Sequence, residues 1–173
     1  MRRAASIMIC GLVLALTGAV SAQKADKVSA TLTGPGEIPV VSSPATGTFD
    51  AQIHEGGWVD WTLTYSNLEA DIAQSHIHLA QPFANGGIVV WLCKTTQTNA
   101  PAGTQDCPAP RSGTLSGTFD ANDVVAVTTQ AISPGDFQEV IDAMRSGLAY
   151  ANVHSAQSPG GEIRGQIKTG AGH

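Results

Sequence analysis

Residues 45–65 read Ala45-Thr46-Gly47-Thr48-Phe49-Asp50-Ala51-Gln52-Ile53-His54-Glu55-Gly56-Gly57-Trp58-Val59-Asp60-Trp61-Thr62-Leu63-Thr64-Tyr65. From Ala45 to Ile53 apolar and polar residues alternate, which places Phe49, Ala51 and Ile53 on one face of a strand. Gly56-Gly57 supplies a hairpin turn. Trp58 to Tyr65 returns as a second strand, with Trp61, Leu63 and Tyr65 on one face and Val59, Thr62 and Thr64 assigned off it. A period of two kept on both sides of a turn marks a half-buried antiparallel pair.

The same pattern extends outward. Val28 to Leu32 is a first strand, ended by Gly34-Pro35-Gly36. Glu37 to Val41 carries Pro39 and reads as an edge strand or loop. Downstream, strands are predicted over 72–79, 87–92, 115–121, 124–127, 150–154 and 162–167. One helix interrupts them. Ser133 suits its N-cap and Pro134 its first position, with Asp136 in the first turn. Phe137, Val140, Ile141, Met144 and Leu148 then share a face, and Gly147 stops the helix. Seven or more short strands with Gly/Pro turns and one short helix predict a mainly β, Greek-key sandwich or barrel.

The first 22 residues read differently. Arg2 and Arg3 precede an apolar run to Val20, and Val20-Ser21-Ala22 offers small residues for cleavage. This is the pattern of a signal peptide over 1–22, followed by a single domain over 23–173. A short membrane anchor is the rival, less suited to a run so rich in small residues. The whole chain of 173 residues has 9 basic and 14 acidic side chains. Cleavage would remove Arg2 and Arg3 and make the balance still more acidic. Nucleic acid and, after cleavage, an anionic membrane are therefore not expected partners. An extracytoplasmic protein or glycan is, in the periplasm or outside the cell. Cys93 and Cys107 remain after cleavage, and a pair in an exported protein is most simply a disulfide. A thiolate metal site or a redox pair is the alternative.

A faint repeat runs through the chain. Gly-Thr-Phe-Asp-Ala occurs at 47–51 and again at 117–121. Ile77-His78-Leu79-Ala80-Gln81 likewise resembles Val153-His154-Ser155-Ala156-Gln157, so His78 corresponds to His154 and His76 to Asn152. His76 and His78 point to one face of a strand, about 6–7 Å apart. If the repeat reflects symmetry, His154 joins them in a three-histidine set suited to copper or zinc. Asn152 is then placed to orient an imidazole. The plain alternative is three histidines that only hydrogen-bond to backbone. Glu162 and Arg164 share a strand face, as a structural ion pair or as a face for a partner. Trp58, Trp61 and Trp91 could stack on a glycan, or pack in the core. No nucleophile elbow and no paired carboxylates mark a catalytic centre.

Four blocks carry a family resemblance: Leu32-Thr33-Gly34 through Glu37-Ile38-Pro39 to Gly47; His76-Ile77-His78-Leu79-Ala80; Gly147 to Ser155; and Pro159-Gly160-Gly161-Glu162-Ile163-Arg164-Gly165-Gln166-Ile167. In order and spacing they resemble the CHRD (chordin-type) domain over about residues 28–168. The resemblance implies an immunoglobulin-like or superoxide-dismutase-like β-fold, found in exported bacterial proteins among others. Cu/Zn superoxide dismutases are similar in holding copper with a His-x-His and a later His. The resemblance stops there: no bridging histidine or zinc loop is found, and Leu79 stands where the family usually has Gly. The expectation is a non-enzymatic binding or structural module with copper or zinc at His76, His78 and His154. The alternative is a metal-dependent redox enzyme of dismutase type.

Overall fold

The structure, a computed structural model, describes residues 26–96, 99–108 and 111–170. The expected signal peptide lies outside the described residues. Among the described residues nine strands form: β1 (Asp26–Thr33), β2 (Thr46–His54), β3 (Trp58–Ser66), β4 (Ile72–Leu79), β5 (Ile88–Lys94), β6 (Gly113–Asp120), β7 (Ala149–Ser155), β8 (Ile163–Gln166) and β9 (Lys168–Thr169). One helix, α1 (Phe137–Ser146), precedes β7. The fold is mainly β, as expected. Helices among the described residues are too short or too polar to cross a membrane.

The hairpin forms in the register that its alternation demands. Phe49 faces Leu63 and His54 faces Trp58 across β2 and β3. Gly57 takes a φ of 87°, a left-handed turn position that glycine adopts without strain. One expectation is corrected: Val59 is fully buried, in the same row as Trp61, Leu63 and Tyr65. The reason is the period of two itself, which joins 59, 61, 63 and 65 on one face.

All strands join one sheet in the order β5-β4-β7-β8-β1-β2-β3-β6, with β9 beside β1. The sheet curls until its end strands, β5 and β6, approach each other across a seam. There Gln105 Nε2 donates to Leu92 O of β5 at 3.1 Å and to Ser116 O of β6 at 3.4 Å. The Cys93–Cys107 disulfide fixes the loop that carries Gln105. Segment 105–107 also pairs with the edge of β5, through Lys94 N to Gln105 O and Cys107 N to Lys94 O. The two copies of Gly-Thr-Phe-Asp-Ala flank β3 from either side, Phe49 opposite Leu63 and Phe119 opposite Val59.

The core lies inside this curl, and includes Phe49, Leu63, Tyr65, Ile77, Leu92, Val153, Ile163 and Ile167. Helix α1 adds Val140, Ile141, Ala143 and Met144. It begins later than expected. Ser133 to Asp136 form a turn, closed by Asp136 N on Ser133 O and by Ser133 N on the Asp136 carboxylate. Gly135 at φ 88° breaks helical geometry there, so Phe137 opens the helix and Gly147 closes it. One further expectation is corrected. Residues 124–127 are no strand: Val124 follows a 3-10 turn and Val127 makes only an isolated bridge to Ile132. Of the two alternatives for residues 37–41, an edge strand or a loop, the loop forms.

Candidate metal centre

Strands β4 and β7 pair antiparallel, with His76 opposite Asn152, His78 opposite Tyr150 and Gln74 opposite His154. Ile77 and Val153 point into the core. Alternation therefore sends His76, His78, Tyr150, Asn152 and His154 to the outer face. That face is not open. The loop before β2 covers it through Glu37, the loop after β4 through Ala84 to Gly86, and the loop before β8 through Pro159. As a result the three histidines are only 0, 8 and 6% exposed in chain order.

The three expected ligands come together. One ring nitrogen from each of His76, His78 and His154 lies within 4.8 Å of the others. His76 Nδ1 and His154 Nε2 are 3.2 Å apart. The remaining contacts fix the tautomers. His78 Nδ1 lies 3.0 Å from Gly86 O and His154 Nδ1 lies 3.0 Å from Pro159 O. A carbonyl oxygen only accepts, so both Nδ1 atoms carry hydrogen and both Nε2 atoms keep a lone pair. His76 Nδ1 then donates to His154 Nε2, and His76 Nε2 is also a lone-pair nitrogen. The Nε2 atoms of His76 and His78 are buried with no hydrogen-bond partner among the described residues. Each such orphan costs about 1–3 kcal/mol.

Burial also keeps the rings neutral. It pushes His76 down to about 2, helped by the neighbouring His154 and His78. It pushes His78 down to about 4, partly offset by the bond to Gly86, and it lowers His154 as well. Neutral imidazole is the form that binds metal. Three neutral imidazoles, each with a ring nitrogen within 4.8 Å of the others, fit a copper or zinc ion, which would take the place of the His76–His154 hydrogen bond. Bonds of about 2 Å hold two donors at most about 4 Å apart, so the rings would close in slightly.

Around the rings stand groups that sequence reasoning placed differently or overlooked. Asn152 Nδ2 donates to Glu37 Oε1 at 2.6 Å and to Ile163 O at 3.1 Å, and to no imidazole. Glu37 is buried, and desolvation raises it to about 7 against the opposing bond from Asn152 and the charge of Arg164. Glu162 and Arg164 form no ion pair and present no open face, being 0 and 3% exposed. Glu162 Oε1 accepts from Ser43 Oγ at 2.7 Å and Glu69 N at 2.8 Å. Arg164 reaches the other way, to Asn85 Oδ1 at 2.9 Å and Ala84 O at 2.7 Å. The separation follows from the different loops that cover the two positions. Tyr150 stacks parallel on His78 with ring centroids 4.7 Å apart, and Trp91 meets His76 edge-on at 4.3 Å. Tyr150 was legible, since it lies two and four residues before Asn152 and His154 on one strand face. Glu37 carried no such signal.

Trp61 is core, and Trp58 stacks on His54 at the hairpin tip, 41% exposed. Trp61 and Trp91 both line a cavity of about 240 Å³ at the seam.

Among solved structures, one similar to this chain is Candida albicans Superoxide Dismutase 5 (SOD5), Cu(II). It is 13% identical, with a TM-score of 0.45, over 87% of this chain and 96% of that one. Likeness at that level assigns neither residues nor activity. The curated proteins contain no match. The family profile described as the CHRD domain matches residues 28–167, and the chain therefore belongs to the CHRD domain family.

Proposed function

We propose that this CHRD domain is an exported, non-enzymatic binding module that holds one copper or zinc ion at His76, His78 and His154. The observation that carries the reading is the pair of orphaned Nε2 lone pairs on His76 and His78. Histidines that served only as hydrogen-bonding groups would have those atoms paired. Such an ion would supply coordinate bonds to all three rings and tie β4 to β7. The deep burial of the rings favours holding an ion over turning over a diffusing substrate. The Cys93–Cys107 disulfide suits an oxidising, extracytoplasmic compartment.

The test is metal analysis of protein purified without an affinity tag, followed by Cu(II) and Zn(II) titrations. Wild type is compared with a His76→Ala/His78→Ala/His154→Ala variant whose folding is checked by circular dichroism. Near-stoichiometric binding that the variant loses is the expected result. Copper should also quench Trp91, which touches His76. Equal titrations of both proteins would remove the site. Superoxide turnover by the loaded wild type, above that of free copper, would overturn the non-enzymatic part.

A further inference from the structure

Arg164 is a buried cation with no carboxylate hydrogen-bonded to it among the described residues. Its two bonds instead go to neighbouring residues of one loop, Asn85 Oδ1 and Ala84 O. Its guanidinium carbon sits 3.4 Å over the centre of the Tyr150 ring. The same ring stacks on His78 at 4.7 Å with an interplanar angle of 2°. A guanidinium that close leaves no room for a parallel imidazole on its own side, so Arg164 and His78 occupy opposite faces of Tyr150. A second path runs through the loop. The residue after Asn85 is Gly86, whose N–H donates to Tyr150 Oη at 3.4 Å and whose carbonyl receives His78 Nδ1–H at 3.0 Å. Gly86 also has no space for a side chain: a Cβ there would lie 1.8 Å from Leu79 O, at the end of β4. Arg164 thus fixes both the ring that His78 leans on and the loop that holds its Nδ1–H.

We infer that Arg164 is a positioning residue for His78, acting through the Tyr150 stack and the Ala84–Gly86 loop to hold the imidazole with Nε2 as its free lone pair. The inference rests on the three-histidine reading for its purpose, but its geometry stands without a metal. It also makes a prediction opposite in sign to simple electrostatics. A fixed cation beside a dication's site repels the ion, so a purely electrostatic Arg164 would weaken binding, and its removal would tighten it. A positioning Arg164 strengthens binding, and its removal loosens it. Lysine would keep the charge but lose the planar fork and the flat stack.

Arg164→Met, Arg164→Lys and Asn85→Ala are compared with wild type in Cu(II) and Zn(II) competition titrations. The nitrogen-15 shifts of the His78 ring are measured in the metal-free proteins. Both Arg164 variants should bind about 10–100-fold more weakly, the usual range for a group that orients a metal ligand. The His78 ring should move away from the pure Nδ1–H tautomer. Tighter or unchanged binding by Arg164→Met, with the His78 tautomer unaltered, would overturn the inference. Asn85→Ala removes one of the two bonds between Arg164 and the loop, together with the Asn85 Nδ2 bond to Ile38 O, while leaving Arg164 and its bond to Ala84 O in place, and covers the case in which the Arg164 variants do not fold. Weaker binding by that variant with the same tautomer change supports the inference, and no change in either overturns it. If wild type binds neither ion, the three-histidine reading fails by itself. The tautomer in the metal-free variants then still decides for or against positioning.

Discussion

Glu37 and the three histidines respond to acid with opposite sign. The folded Glu37 carboxyl is raised to about 7 from an ordinary 4.5, so its contribution is fully present below about 4.5 and is lost as pH rises through 7. Glu37→Gln keeps an acceptor for Asn152 and removes the titration. It should be more stable than wild type at pH 8 by about 3 kcal/mol, and differ far less at pH 4. Urea unfolding at the two pH values measures this. The histidines are lowered from 6.5, so their contribution is present above 6.5 and is lost as pH falls toward about 4 for His78 and about 2 for His76. Metal-free wild type should therefore lose stability between pH 6.5 and 4.5, where three histidines outweigh one Glu37. The triple-alanine variant should lack that loss, which acid-range urea titrations would show. Single residues were legible where strand period governs them. His76, His78 and His154 followed from an i, i+2 pair and a repeat. The Glu162–Arg164 pairing did not, because sharing a strand's face says nothing about which covering loop meets each side chain.

Elements were legible in their interiors and misread at their ends. The strongly alternating β2–β3 hairpin formed as expected, as did β4 over 72–79. The start of α1 was misplaced because Pro-Gly after Ser133 supports a turn as well as a helix entry, and the Asp136 carboxylate closes that turn. Residues 124–127, Val-Val-Ala-Val, are too short an apolar run to outweigh the neighbouring turn. The disulfide loop is an element in its own right. Removing the link between Cys93 and Cys107, with a sequence separation of 14, should cost about 3 kcal/mol in the chain-entropy description. Urea unfolding of the Cys93→Ala/Cys107→Ala variant against wild type checks this. A loss near zero would mean that the loop is held by Gln105 and the β5 edge alone.

Across the whole molecule, β4 and β7 carry two jobs on their two faces. Ile77 and Val153 serve the core, while His76 and His154 face the loops. An ion bound only by the folded state stabilises it by about 2.7 kcal/mol at a free concentration of 100 times Kd. Copper or zinc should therefore raise the melting temperature of wild type and leave the triple-alanine variant unmoved, as thermal melts would show. The family and the β-rich class were legible from blocks of sequence. The closure of the sheet was not, since it depends on one side chain, Gln105, reaching back and forward from the loop between β5 and β6 to a carbonyl on each. That closure bears on how the protein behaves in company. A strand edge with unpaired N–H and C=O groups recruits edges from other chains. Here the end of the β5 edge, at Lys94, is paired with residues 105–107, Val125 N–H bonds Val89 O nearer its start, and the Gln105 amide spans the gap to β6. Cutting the disulfide would free this cover, and the expected outcome is self-association in reducing solution, seen as concentration-dependent light scattering. In that sense the Cys93–Cys107 loop is a guard against aggregation as well as a brace.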